Sequence, residues 1–254
     1  MLPIQRRLVI GEYMARHGGA TIKDLSIQYG VSEMTIRRDF ELLEQQGLVA
    51  RSHGGAIYVD KLIGEPALPE KQSRNPEVKE RLAAYAAERF VSDGDVLILE
   101  GGTTVSRMAA YLKHAHLTLM TNGMDALQQL RGVAGTQTVL CCGGVLREPS
   151  GTFVGPVAEA FFSQYHARTA FLSSLSFTVE AGFTDPNMMD TQVKKTMIQS
   201  ATRTIMLLDS SKIGSRSFAT VAQLNEVSVL ITDSGVSEQV REACEVAHVE
   251  LHVV

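Results

Sequence analysis

Arg37 and Arg38 stand side by side in a stretch whose spacing gives them a target. Ser32 is a favourable N-cap, and Glu33 places an acid in the first helical turn, where the helix dipole favours it. Ile36, Phe40 and Leu43 then recur at helical spacing and form one apolar face. Met34, Arg38, Glu41 and Gln45 point the opposite way, with Thr35 and Arg37 flanking them. A narrow core stripe backing an outward arginine suits insertion into a major groove, where arginine reads guanine by two hydrogen bonds. Arg51 and His53 follow in a short basic loop. This pattern makes Ser32, Met34, Thr35, Arg37, Arg38, Arg51 and His53 the candidate contacts to double-stranded DNA. Arg38, Thr35 and Met34 are expected to face base edges, and Arg37, Arg51 and His53 to lean towards phosphates.

A second set of residues suits anion binding. Glu100-Gly-Gly-Thr-Thr104 follows an apolar run and opens a helix. Glycines there would let the backbone approach an anion, with helix N–H groups and threonine hydroxyls donating to it. The same run could be an ordinary turn from strand to helix. Further polar loops follow at Thr121-Asn122-Gly123, Gly143-Gly144-Val-Leu-Arg147, Gly151-Thr-Phe-Val-Gly-Pro156 and Asp209-Ser-Ser-Lys212-Ile-Gly214. Each alone reads as turn chemistry. Together, with Arg147 and Lys212 as cations, they point to a site for a phosphate-bearing small molecule. Gly102, Thr103 and Thr104 are expected at the phosphate, assisted by Arg147 and Lys212. Thr121, Asn122, Gly143 and Gly144 are expected along the rest of the ligand.

The elements that must position these groups fall into two parts. Leu8, Ile10, Tyr13 and Met14 indicate a first helix over about 4–17, broken by His17-Gly18-Gly19. Thr21 caps a second short helix with Ile22, Leu25 and Tyr29 inward, and Gly30 supplies the turn into the third. Gly47 ends the third helix. Leu48–Ala50 and Ala56–Val59 form a hairpin, so residues 1–59 read as a winged helix-turn-helix. Residues 60–76, with three prolines, read as a linker. A helix is expected at 77–91. Apolar strands follow at 95–99, 117–121, 137–142, 169–173, 204–208, 227–232 and 248–253. Helices lie between them at 104–113, 123–131, 156–163, 190–202 and 236–245. Such alternation over 77–254 implies a mostly parallel sheet covered on both faces, with ligand loops at the C-terminal strand ends.

Composition narrows the function classes. The 254 residues are 44% hydrophobic, enough for a real core. No run of 18 apolar residues exists, and the first residues lack the apolar stretch of a signal peptide, so a cytoplasmic location is expected. The three cysteines form neither a disulfide framework nor a metal-ligand pattern. Cys141-Cys142 is expected to be buried packing, and His114-Ala-His116 lacks a third ligand and is expected to be solvated. Neither a metal nor any other cofactor is expected. Residues 1–58 hold seven Lys/Arg against six Asp/Glu and the remainder 17 against 22, which splits the net charge of −4 into +1 and −5. An acidic remainder limits non-specific attraction to DNA and leaves the basic face to act locally.

The run from Val31 to Ala56 resembles the DeoR family of bacterial transcriptional regulators. Its signature is similar to S-x-x-T-[IV]-R-R-D-[LF]-x-x-L-E-x-x-G-x-[LIV]-x-R-x-H-G-G. The family's second domain resembles ribose-5-phosphate isomerase. It carries patterns like D-x-G-T-T, T-N, G-G-x-x-[RK], F-x-G-P and D-x-S-K-x-G, similar here to Glu100–Thr104, Thr121-Asn122, Gly143–Arg147, Phe153–Pro156 and Asp209–Gly214. The resemblance implies an α/β protein: a winged helix-turn-helix followed by a mostly parallel sensor domain of ribose-5-phosphate-isomerase-like type. It further implies a repressor of carbohydrate-metabolism genes, controlled by a sugar phosphate or related effector.

Two departures stand out. Glu100 replaces the family's aspartate. Phe171-Leu-Ser-Ser-Leu-Ser-Phe177 replaces a run like F-[IL]-G-x-D-G-[IV], losing its acid and both glycines. An isomerase needs a carboxylate base beside the sugar carbons, and this stretch offers Ser173, Ser174 and Ser176 instead. Catalysis is therefore not expected, though an isomerase-like enzyme with an accessory DNA-binding domain is the alternative. The loss of that acid implies an effector different from the family's usual ones. One winged helix makes few contacts, so a homodimer or higher even oligomer on repeated half-sites is expected.

Overall fold

The computed structural model describes residues 3–17, 19–45, 49–52, 54–58, 65–112, 116–131 and 137–254. The chain divides into two compact units, Met1–Leu62 and Ile63–Val254.

The first unit contains α1 (Pro3–His17), β1 (Gly19–Thr21), α2 (Ile22–Tyr29), α3 (Glu33–Gln45), β2 (Val49–Ser52) and β3 (Gly55–Tyr58). Ile10, Met14, Ile22, Leu25, Ile36, Phe40 and Leu43 form its core, as their 3–4 residue spacing requires. The Asp24 N–H donates to Thr21 Oγ1 at 3.1 Å and caps α2, while Gly30 ends it in the left-handed conformation at φ 64°. From Gly19 the chain runs as β1, which pairs antiparallel with β3 and makes the wing three-stranded. That pairing brings the backbones so close that a Cβ on Gly55 would sit 2.4 Å from the Ala20 carbonyl oxygen. Gly47 and Leu48, expected to end α3 and begin the wing, lie outside the described residues, as does His53.

The second unit begins with α4 (Leu68–Ser73) and α5 (Pro76–Phe90). It continues through β4 (Val96–Leu99), a 3₁₀ helix (Val105–Tyr111), β5 (Thr118–Thr121), α6 (Met124–Leu130), β6 (Thr138–Cys141), β7 (Val145–Arg147), β8 (Thr152–Val154) and α7 (Pro156–Ser163). Then come β9 (Ala167–Leu172), β10 (Ser176–Thr178), β11 (Gly182–Asp185), α8 (Met188–Gln199), β12 (Ala201–Leu207) and a short 3₁₀ turn (Ser210–Lys212). The chain finishes with β13 (Ala219–Ala222), a second turn (Leu224–Glu226), β14 (Val229–Thr232), α9 (Glu238–Val246) and β15 (Glu250–Val253).

The main sheet has the order β15-β14-β12-β9-β4-β5-β6 and is parallel throughout. Its inner strands β5, β4, β9, β12 and β14 are mostly buried, with side chains alternating between two cores as a pleat dictates, whereas the edge strands β6 and β15 are largely exposed. Leu97, Leu99, Ile205, Leu207, Val229 and Ile231 pack towards α5 and the 3₁₀ helix. Ile98, Met206 and Leu230 join Phe162, Val193, Met197 and Val240 of α7, α8 and α9 on the other face. The chain runs outward from β4 through β5 to β6, then returns to β9 on the other side of β4 and runs outward again. β4 and β9 therefore flank the point where strand order reverses, where a crevice opens outside the carboxyl ends of an open α/β sheet.

Several expectations need correction. Residues 65–76 are not linker: α4 and the start of α5 lie there, and Pro69 and Pro76 occupy the first positions of these helices, where a missing N–H costs nothing. The helix expected at 104–113 is a 3₁₀ helix. The Gly143–Arg147 and Gly151–Pro156 loops belong to one antiparallel hairpin, β7–β8. A three-stranded antiparallel sheet, β10-β11-β13, was not anticipated. Cys142 is buried as expected, but Cys141 is exposed. His116 is exposed and His114 lies outside the described residues.

Candidate functional site

In the first unit, α3 presents one face to solvent. Ile36, Phe40 and Leu43 are buried, whereas Met34, Arg37 and Arg38 are exposed and Thr35 is half-buried. Ser32 starts the helix as a cap, its Oγ accepting from the Thr35 N–H at 3.2 Å and lying 2.9 Å from Thr35 Oγ1. Arg37 makes only a loose pair with Glu33, at 3.9 Å. Arg51 is paired within the unit. Its Nε donates to Glu44 at 2.6 Å, its Nη1 to Glu41 at 3.2 Å and its backbone N–H to Glu44 at 3.1 Å. The backbone donor first, then the guanidinium, hold the Glu44 carboxyl below its usual range. Arg51 thus braces β2 against α3 with its side chain still 47% exposed.

Asp39, next to the two arginines, is buried and accepts from Arg6 Nε at 2.6 Å and Nη2 at 3.3 Å, with Arg7 at 3.6 Å. This pair ties α1 to the back of the recognition helix. The helical wheel carried the signal, since Asp39 falls next to Leu43 at the edge of the inward face.

In the second unit, a cavity of about 130 Å³ opens at the carboxyl ends of β4, β9 and β12, at the strand-order reversal. Of the expected residues, Gly102, Thr103 and Lys212 line it. Gly102 fits because a Cβ there would stand 2.5 Å from Glu100 Oε2 and 2.8 Å from Ser173 Oγ. Thr104, Thr121, Asn122, Gly143, Gly144 and Arg147 do not line it. Thr104 is fully buried. Thr121 Oγ1 accepts from the Gly123 N–H at 3.0 Å, and Asn122 accepts from the Gly101 N–H at 2.9 Å while donating to the Phe153 carbonyl at 3.2 Å. These side chains are spent on joining neighbouring loops. The join is tight: a Cβ on Gly101 would lie 2.6 Å from Gly123 Cα. Gly143 and Gly144 serve the turn into β7, at φ 64° and 113°. Arg147 stands behind the wall, paired with Asp190 and with Glu65 at 2.6 Å.

Several cavity residues had no motif to announce them. Lys79 on α5 is 2% exposed. Its Nζ donates to the Lys71 carbonyl. Burial, then repulsion from Lys212, Arg107 and Arg74, pushes its pKa down to about 8, with Asp209 opposing. Lys212 donates to the Ser174 carbonyl at 2.9 Å and has only a distant acid, Asp209 at 3.8 Å. Burial first, and then Lys194, lower its pKa against the pull of Asp209. Two crowded ammonium groups with donors to spare are an arrangement an anion would relieve. Lys194 on α8 differs. Burial works against its charge, but Asp185 and Glu100 outweigh that and raise its pKa. Both lysines lie on inward helix faces, Lys79 in line with Leu82, Ala83 and Ala86, and Lys194 beside Val193 and Met197. A charge on an apolar face was the signal available for each.

Among the described residues no helix is long and apolar enough to cross a membrane, and no group of three or more potential ligands could hold a metal.

A family model described as the DeoR-like helix-turn-helix domain matches residues 6–62, and one described as the DeoR C terminal sensor domain matches residues 74–234. The chain is 37% identical to the uncharacterized HTH-type transcriptional regulator YulB of Bacillus subtilis (strain 168), covering all of this chain and 98% of that protein. It is 34% identical to the HTH-type transcriptional regulator GlpR of Haloferax volcanii, over 98% of this chain and 97% of that one. Identity to a putative aga operon transcriptional repressor of Escherichia coli O157:H7 is 33%, over 98% and 93%. Among solved structures, ribose 5-phosphate isomerase from Plasmodium falciparum is similar with a TM-score of 0.40 and 12% identity, over 55% of this chain and 53% of that one.

Proposed function

The chain belongs to the DeoR family of transcriptional regulators, and from that premise we propose how its two units divide the work. The first binds operator DNA with α3 in the major groove, Arg38, Thr35 and Met34 at base edges and Arg37 at a phosphate. Arg51 and the Arg6–Asp39 pair hold the reading head in shape. The second binds a sugar phosphate in the cavity beside β4 and β9, with the phosphate on Lys79, Lys212 and the Gly102-Thr103 backbone. Occupancy of the cavity lowers affinity for DNA, which makes the protein a metabolite-relieved repressor of carbohydrate-metabolism genes. It acts in the cytoplasm, as a homodimer or higher even oligomer.

The observation that carries the effector reading is the Lys79–Lys212 pair lining one cavity: a buried and a half-buried cation with N–H donors to spare, of which Lys212 has Asp209 only at 3.8 Å. Titration calorimetry on the full chain with hexose and pentose phosphates tests it. Binding is expected for wild type and a loss of at least about tenfold for Lys212→Met, since a hydrogen bond to a charged group contributes about 1.5–3 kcal/mol. Tight binding of uncharged sugars, unaffected by Lys212→Met, would count against it.

The enzyme alternative is disfavoured by the loop after β9, which lines the cavity with Ser173, Ser174 and Leu175 and offers no acid there, while Glu100 and Asp185 are both tied to Lys194. No turnover of ribose 5-phosphate above the buffer rate is expected; saturable turnover would restore the enzyme reading.

A further inference from the structure

The hydrogen bonds of the cavity's charged groups can be followed one by one. Lys194 Nζ donates to the Ser173 carbonyl at 2.8 Å and to Asp185 Oδ2 at 2.6 Å, and pairs with Glu100 Oε1 at 3.2 Å. It serves to fix two carboxylates. Asp190 is taken up by Arg147 and by Thr152 Oγ1 at 2.6 Å. Asp209 accepts from Asn75 Nδ2 at 3.1 Å and from Ser211, both on Oδ1, and its Oδ2 faces Lys212 at 3.8 Å, while Glu100 Oε2 accepts from the Ser173 N–H at 3.3 Å. Asp185 is set apart by its place, against the loop that follows β9. Its Oδ1 accepts one donor, the Leu175 N–H at 2.7 Å, and its Oδ2 one, Lys194. Each carboxylate oxygen can accept about two, so Asp185 keeps acceptor capacity while lining the cavity.

Asp185 and the cation end are anchored on neighbouring residues of one loop. Lys212 holds the Ser174 carbonyl and Asp185 holds the Leu175 N–H. Position 175 itself carries no acid, so the carboxylate held against this loop comes from the end of β11.

Resting on the reading of this cavity as a phosphorylated-effector site, we propose that Asp185 is its specificity-determining residue. It accepts a hydroxyl of the bound molecule while Lys79 and Lys212 hold the phosphate. Lys194 is the positioning residue that fixes Asp185. The effector class that fits is a monophosphorylated sugar or polyol with a hydroxyl donor reaching Asp185. A second phosphate at that end would meet a carboxylate and be repelled.

The test is calorimetric titration of the full chain with inorganic phosphate, glycerol 3-phosphate, ribose 5-phosphate, fructose 6-phosphate and fructose 1,6-bisphosphate. Wild type is compared with Asp185→Asn and Asp185→Glu. Asp185→Asn should weaken the best-bound monophosphate by at least about tenfold, the size of a hydrogen bond to a charged group. It should leave inorganic phosphate bound equally well or more tightly, because a negative charge near Lys212 is gone. Asp185→Glu, which keeps the charge but moves it by a methylene, should also lose the monophosphate. Equal weakening of inorganic phosphate and sugar phosphate would overturn the assignment, as would an unchanged sugar phosphate. If neither variant folds, monodeoxy analogues on wild type decide: one hydroxyl must account for a comparable loss, and a flat series overturns the proposal. Failure of every phosphate to bind wild type would bring down the phosphorylated-effector reading as well, whereas the other adverse outcomes remove Asp185 alone.

Discussion

Two adjacent residues of α3 show how position on a helix separates function from stability. Arg38 is exposed and Asp39 is 2% exposed. Arg38→Ala should cost about 1–3 kcal/mol of cognate DNA binding through loss of a guanine contact, with no change in melting temperature. Asp39→Ala should do the reverse. It strands the buried Arg6 guanidinium, and breaking a buried pair in this way costs about 3–5 kcal/mol. A unit of this size has little more than that to lose. Calorimetry should show the first unit melting early while the second still binds phosphate. DNA binding by Asp39→Ala that is unimpaired, with a normal melt, would refute the role given to the Arg6–Asp39 pair. The lysines of the cavity make a pH prediction. Lys79 titrates at about 8, so it is charged below that and neutral above. Phosphate is already a dianion above pH 7, so affinity for an effector phosphate should fall as pH rises from 7 to 9. A bound anion raises the Lys79 pKa, so binding near pH 8 should take up protons, measurable in buffers of different ionisation enthalpy. Flat affinity across that range would remove Lys79 from the site.

Among the elements, α4 has the most to say about regulation. β3 ends at Tyr58, the described chain resumes at Glu65, and Glu65, Lys71 and Arg74 all line the cavity. Glu65 binds Arg147 through both carboxylate oxygens, at 2.6 and 3.3 Å, and Gln72 donates to Asp125 at 2.6 Å. Glu65→Gln should loosen this strap, raising amide hydrogen exchange across 65–75 and leaving β4 and β9 protected. Unchanged exchange would show that the pairs do not hold it. The strap was misread in sequence because its prolines suggested a linker, yet two of them sit where helices begin. The inner strands of the main sheet were legible because strands buried on both faces are near-continuous apolar runs, and the exposed edge strands β6 and β15 because each keeps a short apolar stretch. β10, β11 and β13 were not: they are three or four residues long with few apolar residues, and β13 joins β11 only across α8 and β12. The same difference of scale governs the site. Gly102, Thr103 and Lys212 sit in local motifs, whereas Lys79, Asp185 and Lys194 meet only because the sheet brings three elements to one edge. Thr121 and Asn122 had the right residue types, but their groups are consumed in joining loops.

For the whole molecule, one winged helix presents too few contacts for tight specific binding, and pairing two copies on repeated half-sites would double them. Sedimentation should therefore give a dimer or higher even oligomer at micromolar concentration, and a monomer with and without DNA would contradict that expectation. The account turns on the second unit changing what the first does. Fluorescence anisotropy of upstream DNA, titrated with the full chain with and without the best-binding sugar monophosphate, measures this directly. Wild type should lose affinity for DNA when the sugar phosphate is present, by at least about fivefold if the coupling lies in the usual range of about 1–3 kcal/mol. Lys212→Met should bind the same DNA equally well and show no response. Release of Lys212→Met from DNA at the same sugar phosphate concentration as wild type would contradict the central claim.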